Sequence, residues 1–491
     1  MMRLGALANT ARITLSEGGD TKVTGFAIDN RKVAPGTVFG AFQGARVNGE
    51  DFIPAAIEAG AVAVVARPEA NVEGAIHIAE AEPRRAFAHL AAAFFTPVPE
   101  HIVAVTGTNG KTSNVEMTRQ LWRMSGERAA SIGTLGVTTP DESVSTGLTT
   151  PDIVTFLSNM SGLAREGVTH VAFEASSHGL DQFRNEGVRV SAGAFTNFSR
   201  DHLDYHGTME EYFDAKMRLF DEVLEPGATA VIWHDDHGGG WTDKAIARAK
   251  ARGLRVLTAG PNGDFIVLKE RTATQLGQTL EIEHDGVSRT IKLPLIGAYQ
   301  AANALTSCSL AIATGASAGQ VFDAASRLQP VRGRLERAVI TAQGAPVYVD
   351  YAHTPDALEA AIEALRPHVE GRLITVFGAG GDRDQGKRSE MGAAASRGSE
   401  LVIVTDDNPR GEDPAAIRAA VLEGAPDASE VGDRREAIAE AIRQADAKDI
   451  VLVAGKGHEQ GQIIGSGENM RVLPFDDVQV ARECAAAEAQ S

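Results

Sequence analysis

The sequence predicts an α/β protein of three domains: a small N-terminal α/β domain, a central P-loop domain built on a parallel sheet, and a C-terminal Rossmann-like α/β domain. The chain has 491 residues, and a single domain usually takes about 150. Beyond residue 100, apolar strands alternate with helical segments, which is typical of parallel sheets covered on both faces by helices. Many of these strands end in polar loops marked by glycine or proline, where such sheets bind ligands.

Composition narrows the class of protein. Hydrophobic residues make up 43% of the chain and charged residues 23%, which is the balance of a folded soluble protein. The net charge of −18 argues against a general nucleic-acid binder, which needs a basic surface. Two cysteines, Cys308 and Cys484, are too few for a disulfide framework or a cysteine-rich metal site. No apolar stretch is long enough for a signal peptide or a membrane span, so we expect a cytoplasmic protein without membrane insertion.

The predicted domains are residues 1–99, 100–330 and 331–491. The first contains the strand-like pieces GFAIDNR, GTVFGAF and AVAVVA and one helix, DFIPAAIEAG, and the Pro-rich TPVPE follows as a linker. The second begins with the strand HIVAV, the turn TGTNG and the helix KTSNVEMTRQLWRMSG, and continues with the strands HVAFE and AGAFTN. The third contains four strand-and-loop units: PVYVDYAHTPD, LITVFGAGGDRD, LVIVTDDNPR and IVLVAGKGHEQ.

The segment TGTNGKTS at 106–113 predicts a phosphate-binding loop. Gly107 and Gly110 allow the backbone to curl around an anion, and the helix that follows adds its positive N-terminal end. Lys111 is placed to reach the β- and γ-phosphates of ATP, and the Thr112 hydroxyl to bind Mg²⁺. The general pattern has glycine at position 105, where this chain has Val105, so the loop is a shorter variant. Motors, switches, kinases and ligases all use such a loop, so it does not identify the reaction.

Two further features lie in the central segment. Glu174 ends the strand HVAFE, where its carboxylate can face the phosphate loop and bind Mg²⁺, and His202 belongs to the His- and Asp-rich turn TNFSRDHLDYHG. A solvated loop is the alternative interpretation of that turn. Lys216 lies on an apolar helical stripe between Phe213 and Phe220. A buried lysine costs free energy unless it is paired or modified, so a buried Lys216 would indicate a function. The alternative is a lysine whose ammonium reaches the surface and has no function.

Eight short motifs occur in one order along almost the whole chain, and through them the chain resembles the Mur ligase family of cell-wall peptide synthetases. The match is weakest in residues 1–99. The motifs are GTNGKT, EASSHGL, TNFSRDHLDYHG with Lys216, GAYQAANALTS, VDYAHTPD, GDRDQGKR, DNPR and AGKGHE. The resemblance implies that ATP phosphorylates a substrate carboxylate, and that an amine then displaces phosphate from the acyl phosphate to form an amide.

The resemblance also implies roles in ATP chemistry. Lys111, Lys216 and His202 are expected to be catalytic, and Lys216 is expected to carry a carbamate formed with CO₂. Thr112, Glu174, His202 and Lys216 are expected to hold Mg²⁺. The residues expected to bind ATP are Gly107, Thr108, Asn109, Gly110, Lys111, Thr112, Ser113, Asn303, Arg334, Asp350 and His353.

For the second substrate, the resemblance implies UDP-N-acetylmuramoyl-dipeptide, bound by Ile28, Asn30, Ala45, Arg46, Val47, Thr149, Thr150, Ser176, Gln182 and Arg184. Relatives often have serine where this chain has Asn30. The amino acid is expected to be meso-diaminopimelate, bound by Arg383, Asp407, Asn408, Pro409, Arg410, Gly455 and Glu459. Diaminopimelate has a second carboxylate that lysine lacks, and a guanidinium can bind a carboxylate through two parallel hydrogen bonds.

Other hypotheses remain open from the sequence. One is a ligase of the same superfamily that adds L-lysine, D-glutamate, a D-Ala-D-Ala dipeptide or folate glutamates; the DNPR motif together with Glu459 argues against it. Another is a nucleotide-switched interaction protein, which leaves Lys216 unexplained. On the resemblance to the Mur ligase family, we expect a monomeric enzyme of peptidoglycan precursor synthesis. Such an enzyme would contribute to cell shape and cell division.

Overall fold

The predicted α/β class is confirmed, with mixed and parallel sheets flanked by helices in a three-domain architecture. The computed structural model describes residues 2–44, 47–139, 142–144, 149–237, 240–274 and 277–489. Within those residues, no helix is long and apolar enough to cross a membrane. The domain boundaries near residues 99 and 330 stay a prediction.

The N-terminal region contains a parallel sheet in the order β3-β4-β5-β6 and a small antiparallel pair, β1 with β2. The one helix predicted here corresponds to α2, and the described residues also form α1 and α3, which were not predicted. Helix α3 begins with Pro83, whose fixed φ suits the first helical turn. It packs Phe87 edge-on against Phe26, with ring centroids 5.4 Å apart. The elements are β1 Met2–Arg3, α1 Leu4–Ala11, β2 Lys22–Val23, β3 Gly25–Ala27, β4 Thr37–Gly40, α2 Ile53–Glu58, β5 Ala61–Ala66, β6 Ile76–Ala79 and α3 Pro83–Phe94.

The central region is built on one sheet in the order β10-β9-β8-β11-β7-β12-β13-β14-β15-β16-β17. The strands from β8 through β15 in that order are parallel neighbours, and antiparallel strands extend both edges. The elements are β7 His101–Thr106, α4 Lys111–Met124, β8 Ala129–Gly133, β9 Gly136–Thr138, β10 Ser143–Val144, α5 Ile153–Arg165, β11 His170–Glu174, α6 Ser177–Asp181, β12 Val190–Phe195, α7 Leu203–His206, α8 Met209–Arg218, β13 Leu224–Trp233, α9 Trp241–Ala251, β14 Arg255–Gly260, β15 Ile266–Thr274, β16 Gly277–His284, β17 Val287–Leu293, α10 Ala298–Ala313 and α11 Ala318–Ala325.

The C-terminal region has a sheet in the order β18-β19-β23-β20-β21-β22, parallel except for β18, and a separate hairpin of β24 with β25. The four strands predicted from the sequence are β19, β20, β21 and β23. The elements are β18 Glu336–Ile340, β19 Pro346–Asp350, α12 Pro355–Leu365, β20 Leu373–Phe377, α13 Lys387–Gly398, β21 Leu401–Val404, α14 Pro414–Leu422, β22 Ser429–Glu430, α15 Arg434–Gln444, β23 Ile450–Ala454, β24 Gly461–Ile464, β25 Arg471–Pro474 and α16 Asp477–Glu488.

Strand register brings the polar loops together. In the central sheet, Glu174 pairs with Val105, and Phe195 pairs with Thr106, so the loops after β7, β11 and β12 leave the sheet at one level. In the C-terminal sheet, Ala454 at the end of β23 lies between the ends of β19 and β20. Because parallel strands share one carboxyl edge, each sheet has a single side on which a ligand site can form.

Candidate functional site

The phosphate loop joins β7 directly to α4, as the sequence predicts. Gly107 has φ 141° and Gly110 has φ 84°, backbone conformations that favour glycine. A Cβ at Gly107 would collide with the Thr196 hydroxyl, and one at Gly110 would lie 2.5 Å from Asn303 Oδ1. Both glycines are therefore required by conformation and by space, and the first turn of α4 offers free backbone N–H groups to an anion.

The segment that follows β12 holds this loop in place. Thr108 N donates to Asn197 O at 3.0 Å, and Asn109 N donates to Asn197 Oδ1 at 2.8 Å. The Thr196 hydroxyl donates to Asn109 O at 2.6 Å, and the Tyr212 hydroxyl donates to Thr108 Oγ1 at 3.3 Å. Thr196 and Asn197 were not among the residues predicted from the sequence to form the site, although both stand in the motif TNFSRDHLDYHG.

Lys216 is buried, with 1% of its surface exposed, so it is not a snorkelling surface lysine. It lies in α8, a helix whose N-terminus is capped by Thr208 in a capping box. Its Nζ donates to Gly107 O at 2.8 Å and lies 4.3 Å from the centre of the Tyr212 ring. Burial first, and then the nearby Lys111 ammonium, lower the pKa of Lys216 well below its ordinary value.

Lys111 contacts the same loop from the other side. Its Nζ donates to Gly107 O at 3.0 Å and to Thr108 O at 2.8 Å. Burial lowers the pKa of Lys111, while the Glu174 and Asp201 carboxylates oppose that effect. Two lysines therefore meet one loop, where they can contact the anion that the loop binds.

Glu174 is buried at the end of β11, beside the loop. Its two carboxylate oxygens accept from Thr134, one from the backbone N–H at 2.7 Å and one from the hydroxyl at 3.2 Å. The Thr112 hydroxyl accepts from Arg334 Nη2 at 3.0 Å. The described part of the chain has no group of three or more His, Cys, Asp or Glu side chains that could hold a metal. A carboxylate and a hydroxyl still fit Mg²⁺, which takes one or two protein oxygens and completes its shell with phosphate and water.

His202 lies in a left-handed conformation with φ 52° before the short helix α7. Its Nε2 is 3.4 Å from an Asp201 oxygen, and its ring centroid is 4.9 Å from that of His178. Burial lowers the pKa of His202 to about 4, against the opposing Asp201 charge. A neutral imidazole at neutral pH has a lone pair available for a metal. Phe198 in this turn is buried, whereas 45% of the His202 side chain is exposed to solvent, so the turn is only partly packed.

The other residues expected to bind ATP come from the central and C-terminal regions. Asn303 of α10 is buried and accepts from Asn114 Nδ2 at 2.9 Å. Arg334 stacks over Tyr351 at 4.5 Å, and its buried Nε has no hydrogen-bond partner among the described residues. His353 Nδ1 lies 2.9 Å from Tyr351 O. An unpartnered guanidinium N–H beside the phosphate loop suits an anionic ligand.

Asp350 faces the backbone. Its two oxygens accept from Leu335 N at 2.6 Å and from Ala352 N at 2.9 Å, and burial raises its pKa to about 6. In this geometry, it holds the turn that carries Arg334. The burial of His353 lowers its pKa, the Lys387 ammonium adds to this, and Asp201 opposes it. Groups of the central and C-terminal regions therefore face one another across the site.

A cavity of about 710 Å³ lies between the first region and the start of α5. Ile28, Asn30 and Val47, which are predicted to bind the UDP substrate, line it together with Asp152 and Thr155 of the central region. The predicted residues Ala45 and Arg46 lie outside the described residues.

Arg84 also lines this cavity and was missed by the sequence analysis. Its Nη2 donates to Gln43 O at 3.0 Å, and its guanidinium lies 5.0 Å from the Phe42 ring centre. Burial first, and then the Arg184 guanidinium, lower the pKa of Arg84. The Arg184 charge is thus felt at Arg84, and two cations near each other favour an anionic ligand.

The remaining residues predicted for the UDP substrate form one hydrogen-bonded group beside Glu174. Arg184 Nη1 donates to Thr150 O at 3.0 Å, and Arg184 Nε donates to Gln182 Oε1 at 3.1 Å. The Thr150 and Ser176 hydroxyls are 2.9 Å apart, and the Thr149 and Thr134 hydroxyls are 3.1 Å apart. The structure thus brings these five predicted residues together.

The residues predicted to bind the amino acid also converge. Asn408 Nδ2 donates to Glu459 Oε2 at 2.8 Å, and Pro409 O accepts from Glu412 N in the same turn. A Cβ at Gly455, where φ is 119°, would lie 2.9 Å from Asp407 Oδ2. The loop DNPR therefore lies against the loop AGKGHE.

Two guanidiniums complete this group. Arg410, with φ 51°, donates from Nη1 to Gly381 O at 2.8 Å. Burial, and then the Arg383 charge, lower its pKa. A Cβ at Gly380 would lie 2.9 Å from Arg410 Nη1 and 3.9 Å from Arg383 Cγ, so the two side chains flank that glycine. Within the described residues, neither guanidinium forms an ion pair with a carboxylate, which leaves both available to an anionic ligand.

Comparisons with known proteins show which family this chain is similar to. Sequence models described as "Mur ligase family, catalytic domain", "Mur ligase middle domain" and "Mur ligase, glutamate ligase domain" match residues 22–121, 105–311 and 333–457. Two curated relatives are each named UDP-N-acetylmuramoyl-L-alanyl-D-glutamate–2,6-diaminopimelate ligase. The one from Zymomonas mobilis is 60% identical over 98% of both chains, and the one from Bradyrhizobium diazoefficiens is 52% identical over 93% of both.

Solved structures give the same picture. A structure of a protein with that name covers 100% of both chains at 33% identity, with a TM-score of 0.72. The MurF ligase from Thermotoga maritima, in complex with ADP, covers 96% of this chain and 98% of its own at 21% identity, with a TM-score of 0.63, and supports the fold alone.

Proposed function

Because this chain belongs to the Mur ligase family, we propose that it is an ATP-dependent ligase that joins meso-diaminopimelate to the D-glutamate of UDP-N-acetylmuramoyl-L-alanyl-D-glutamate, releasing ADP and phosphate. The relatives named above carry the name of that reaction. One observation carries the choice of amino acid: the guanidiniums of Arg383 and Arg410 lie near Glu459, and neither has a carboxylate partner among the described residues. This environment suits an amino acid with two carboxylates and a distal ammonium.

The first chemical step activates the glutamate carboxylate. A carboxylate is a poor electrophile because its leaving group would be oxide, and transfer of the γ-phosphoryl group supplies a good leaving group. The free backbone amides in the first turn of α4 and the Lys111 ammonium would bind the phosphates, and Arg334 would approach them with its free Nε. Mg²⁺ held by Thr112, Glu174 and His202 would reduce the repulsion between phosphate and carboxylate.

We extend the proposal to a carbamate on Lys216. Its burial and depressed pKa favour the uncharged amine, whose lone pair can attack CO₂. A new N–C bond then forms, one C–O π bond opens to give the carboxylate, and one proton leaves the nitrogen. The product is an anion beside Gly107 and Lys111, where it can pair with the Lys111 ammonium and help to hold Mg²⁺.

The second step selects and uses the nucleophile. The attacking amine displaces phosphate from the acyl phosphate, forming the C–N bond and losing a proton. We propose that Arg410 binds the distal carboxylate of diaminopimelate, that Glu459 binds its distal ammonium, and that Arg383 binds the other carboxylate. L-Lysine would leave the Arg410 guanidinium without its anion, which is an effective way to reject a substrate.

The three domains divide the ligands between them in this proposal. Residues 1–99 bind the UDP part in the cavity lined by Ile28, Asn30 and Val47, residues 100–330 bind ATP, and residues 331–491 bind the amino acid. In the proposal, Arg84 and Arg184 would both bind the substrate's diphosphate, which the electrostatic effect of Arg184 on Arg84 supports. The enzyme would act as a monomer in the cytoplasm, in the synthesis of peptidoglycan precursors for cell-wall growth and division.

The test is phosphate release by the purified protein with ATP, Mg²⁺ and the UDP-dipeptide, with meso-diaminopimelate and L-lysine compared as acceptors. We expect turnover with diaminopimelate and little with lysine. With ¹⁸O in the glutamyl carboxylate, the released phosphate should carry the label. Preference for L-lysine would identify a lysine-adding ligase. ATP binding without any amide product, or phosphate without label, would contradict the proposed reaction.

A further inference from the structure

Lys456 is a buried cation inside the group of residues proposed to bind diaminopimelate. It stands in the loop AGKGHE with 0% of its surface exposed. The turn that buries it is closely packed: Gly457 has φ 55°, and a Cβ there would lie 2.6 Å from Tyr351 Cβ and 2.8 Å from Gly333 O. A lysine is seldom fully buried unless its ammonium is paired. Its partners therefore indicate why it is buried here.

Among the described residues, the side chains that hydrogen-bond to the Lys456 ammonium all belong to the amino-acid site. Nζ donates to Asn408 Oδ1 at 2.8 Å and lies 3.3 Å from Asp407 Oδ1 and 3.4 Å from Glu459 Oε2. Asn408 in turn donates from Nδ2 to Glu459 Oε2 at 2.8 Å. Lys456 and the Ile463 N–H, which donates to Asn408 Oδ1 at 2.9 Å, together fix which end of the Asn408 amide faces Glu459. Lys456 also holds one of the two Glu459 oxygens.

The distribution of ion pairs gives Lys456 a second effect. Asp407 and Glu459 both attract Arg410 electrostatically, yet within the described ranges their ion pairs are with Lys456 and not with Arg410. Arg410 Nη1 donates instead to the carbonyls of Gly381 and Asn408. An ammonium behind the two carboxylates neutralises part of their charge, so that Arg410 is not drawn into an internal pair.

We infer that Lys456 is a positioning residue that determines amino-acid specificity: it pairs with Asp407 and Glu459 from the buried side and so keeps Arg410 free for a carboxylate of the incoming amino acid. This inference rests on the proposed function and concerns a residue to which that function assigns no contact with substrate. Loss of the Lys456 charge would make the site more negative by one unit. It would then bind the distal carboxylate of diaminopimelate less well and exclude L-lysine less strongly.

The test replaces Lys456 by methionine, which has a similar length and no charge, with Lys456→Gln as a second variant that keeps a hydrogen-bonding end. Steady-state phosphate release gives KM and kcat for diaminopimelate, L-lysine, ATP and the UDP-dipeptide. We expect the KM for diaminopimelate to rise about 10- to 100-fold, the range for losing a hydrogen bond to a charged group. The preference for diaminopimelate over lysine should fall, while the KM values for ATP and the UDP-dipeptide stay unchanged.

Two controls separate this inference from other outcomes. Lys448→Met removes a lysine outside the site and should behave as wild type. The wild-type enzyme is tested first with diaminopimelate, so that failure of the proposed function is recognised before any variant is compared. Wild-type KM and preference in both Lys456 variants would overturn the inference. So would an equal loss of kcat/KM for every substrate with a lowered melting temperature, because a purely structural residue affects all the ligands alike.

Discussion

Replacing Arg410 by alanine tests the proposed selection of the amino acid most directly. Arg410 has a positive φ of 51°; alanine retains the Cβ and therefore the same backbone strain, so the change removes only the guanidinium and its contacts. The guanidinium is half-buried, and its hydrogen bonds go to backbone carbonyls, so its loss breaks no ion pair within the part of the chain that the structure describes. The variant should consequently fold as the wild type does.

The size of the effect follows from the environment. Truncating one partner of a buried, hydrogen-bonded charge pair costs about 2–5 kcal/mol. Arg383 remains beside the site and supplies part of the positive field. We therefore expect a value near the lower middle of that range, about 3 kcal/mol, or roughly a hundredfold loss in kcat/KM for diaminopimelate. Arg410→Lys keeps the charge without the planar fork and should fall between the two.

The assay follows ADP release with saturating ATP and UDP-dipeptide while diaminopimelate is varied, and then L-lysine. The KM for ATP should not change, because Arg410 lies on the loop after β21 and not on the phosphate loop. Arg443→Ala removes an exposed arginine that pairs with Glu440 and serves as the matched control. If Arg410→Ala used diaminopimelate with the kinetics of the wild type, the role assigned to this guanidinium would be wrong.

Three further predictions concern the carbamate, acid stability and the C-terminal core. A carbamate on Lys216 should give a carbonyl signal in ¹³C NMR after incubation with labelled bicarbonate. The Lys216→Ala variant should lack this signal and should also lose turnover. A normal turnover rate in that variant would contradict the role of the carbamate in the reaction. Burial, and then the His101 charge, lower the pKa of His170 to about 4 in the folded protein. The neutral imidazole therefore stabilises the fold by up to about 3 kcal/mol above pH 6.5, the ordinary pKa of histidine. This stabilisation is lost as the pH falls from 6.5 through 4. The melting temperature of His170→Gln should depend less on pH over that interval, and an unchanged pH profile would refute this. Asp477→Ala leaves the fully buried Arg434 unpaired and should cost about 3–5 kcal/mol, whereas replacing both by Met and Leu should cost less, as thermal melting can show.

The central site illustrates how far the sequence reaches. TGTNGKTS follows an apolar strand and precedes a helix, and those local signals are sufficient to predict the loop and Lys111. The predicted strands β7, β11, β12, β19, β20, β21 and β23 are all present, because buried parallel strands are apolar runs that end in polar loops. The parallel strands β8, β13 and β14 of the central sheet were not predicted, although they are largely buried. The antiparallel strands at the edges of that sheet were not predicted either, since their alternating or short patterns resemble loops.

Burial and long-range partners could not be predicted in the same way. Lys216 remained ambiguous between a snorkelling and a buried side chain until the packing against Tyr212 and the phosphate loop was known. Lys456 was passed over within a motif that was otherwise recognised. Arg84 lies on a helix of the first region, and only the fold brings it close to Arg184.

The sequence by itself determined the α/β class, the phosphate loop and the order of the motifs that mark the family, because each of these is written in neighbouring residues. The tertiary structure alone decided which charged groups are paired and which are left free: Lys456 with Asp407 and Glu459, and Arg410 with backbone carbonyls. Pairing depends on distances between loops that follow different strands, and those distances are set by strand register and packing across the whole sheet.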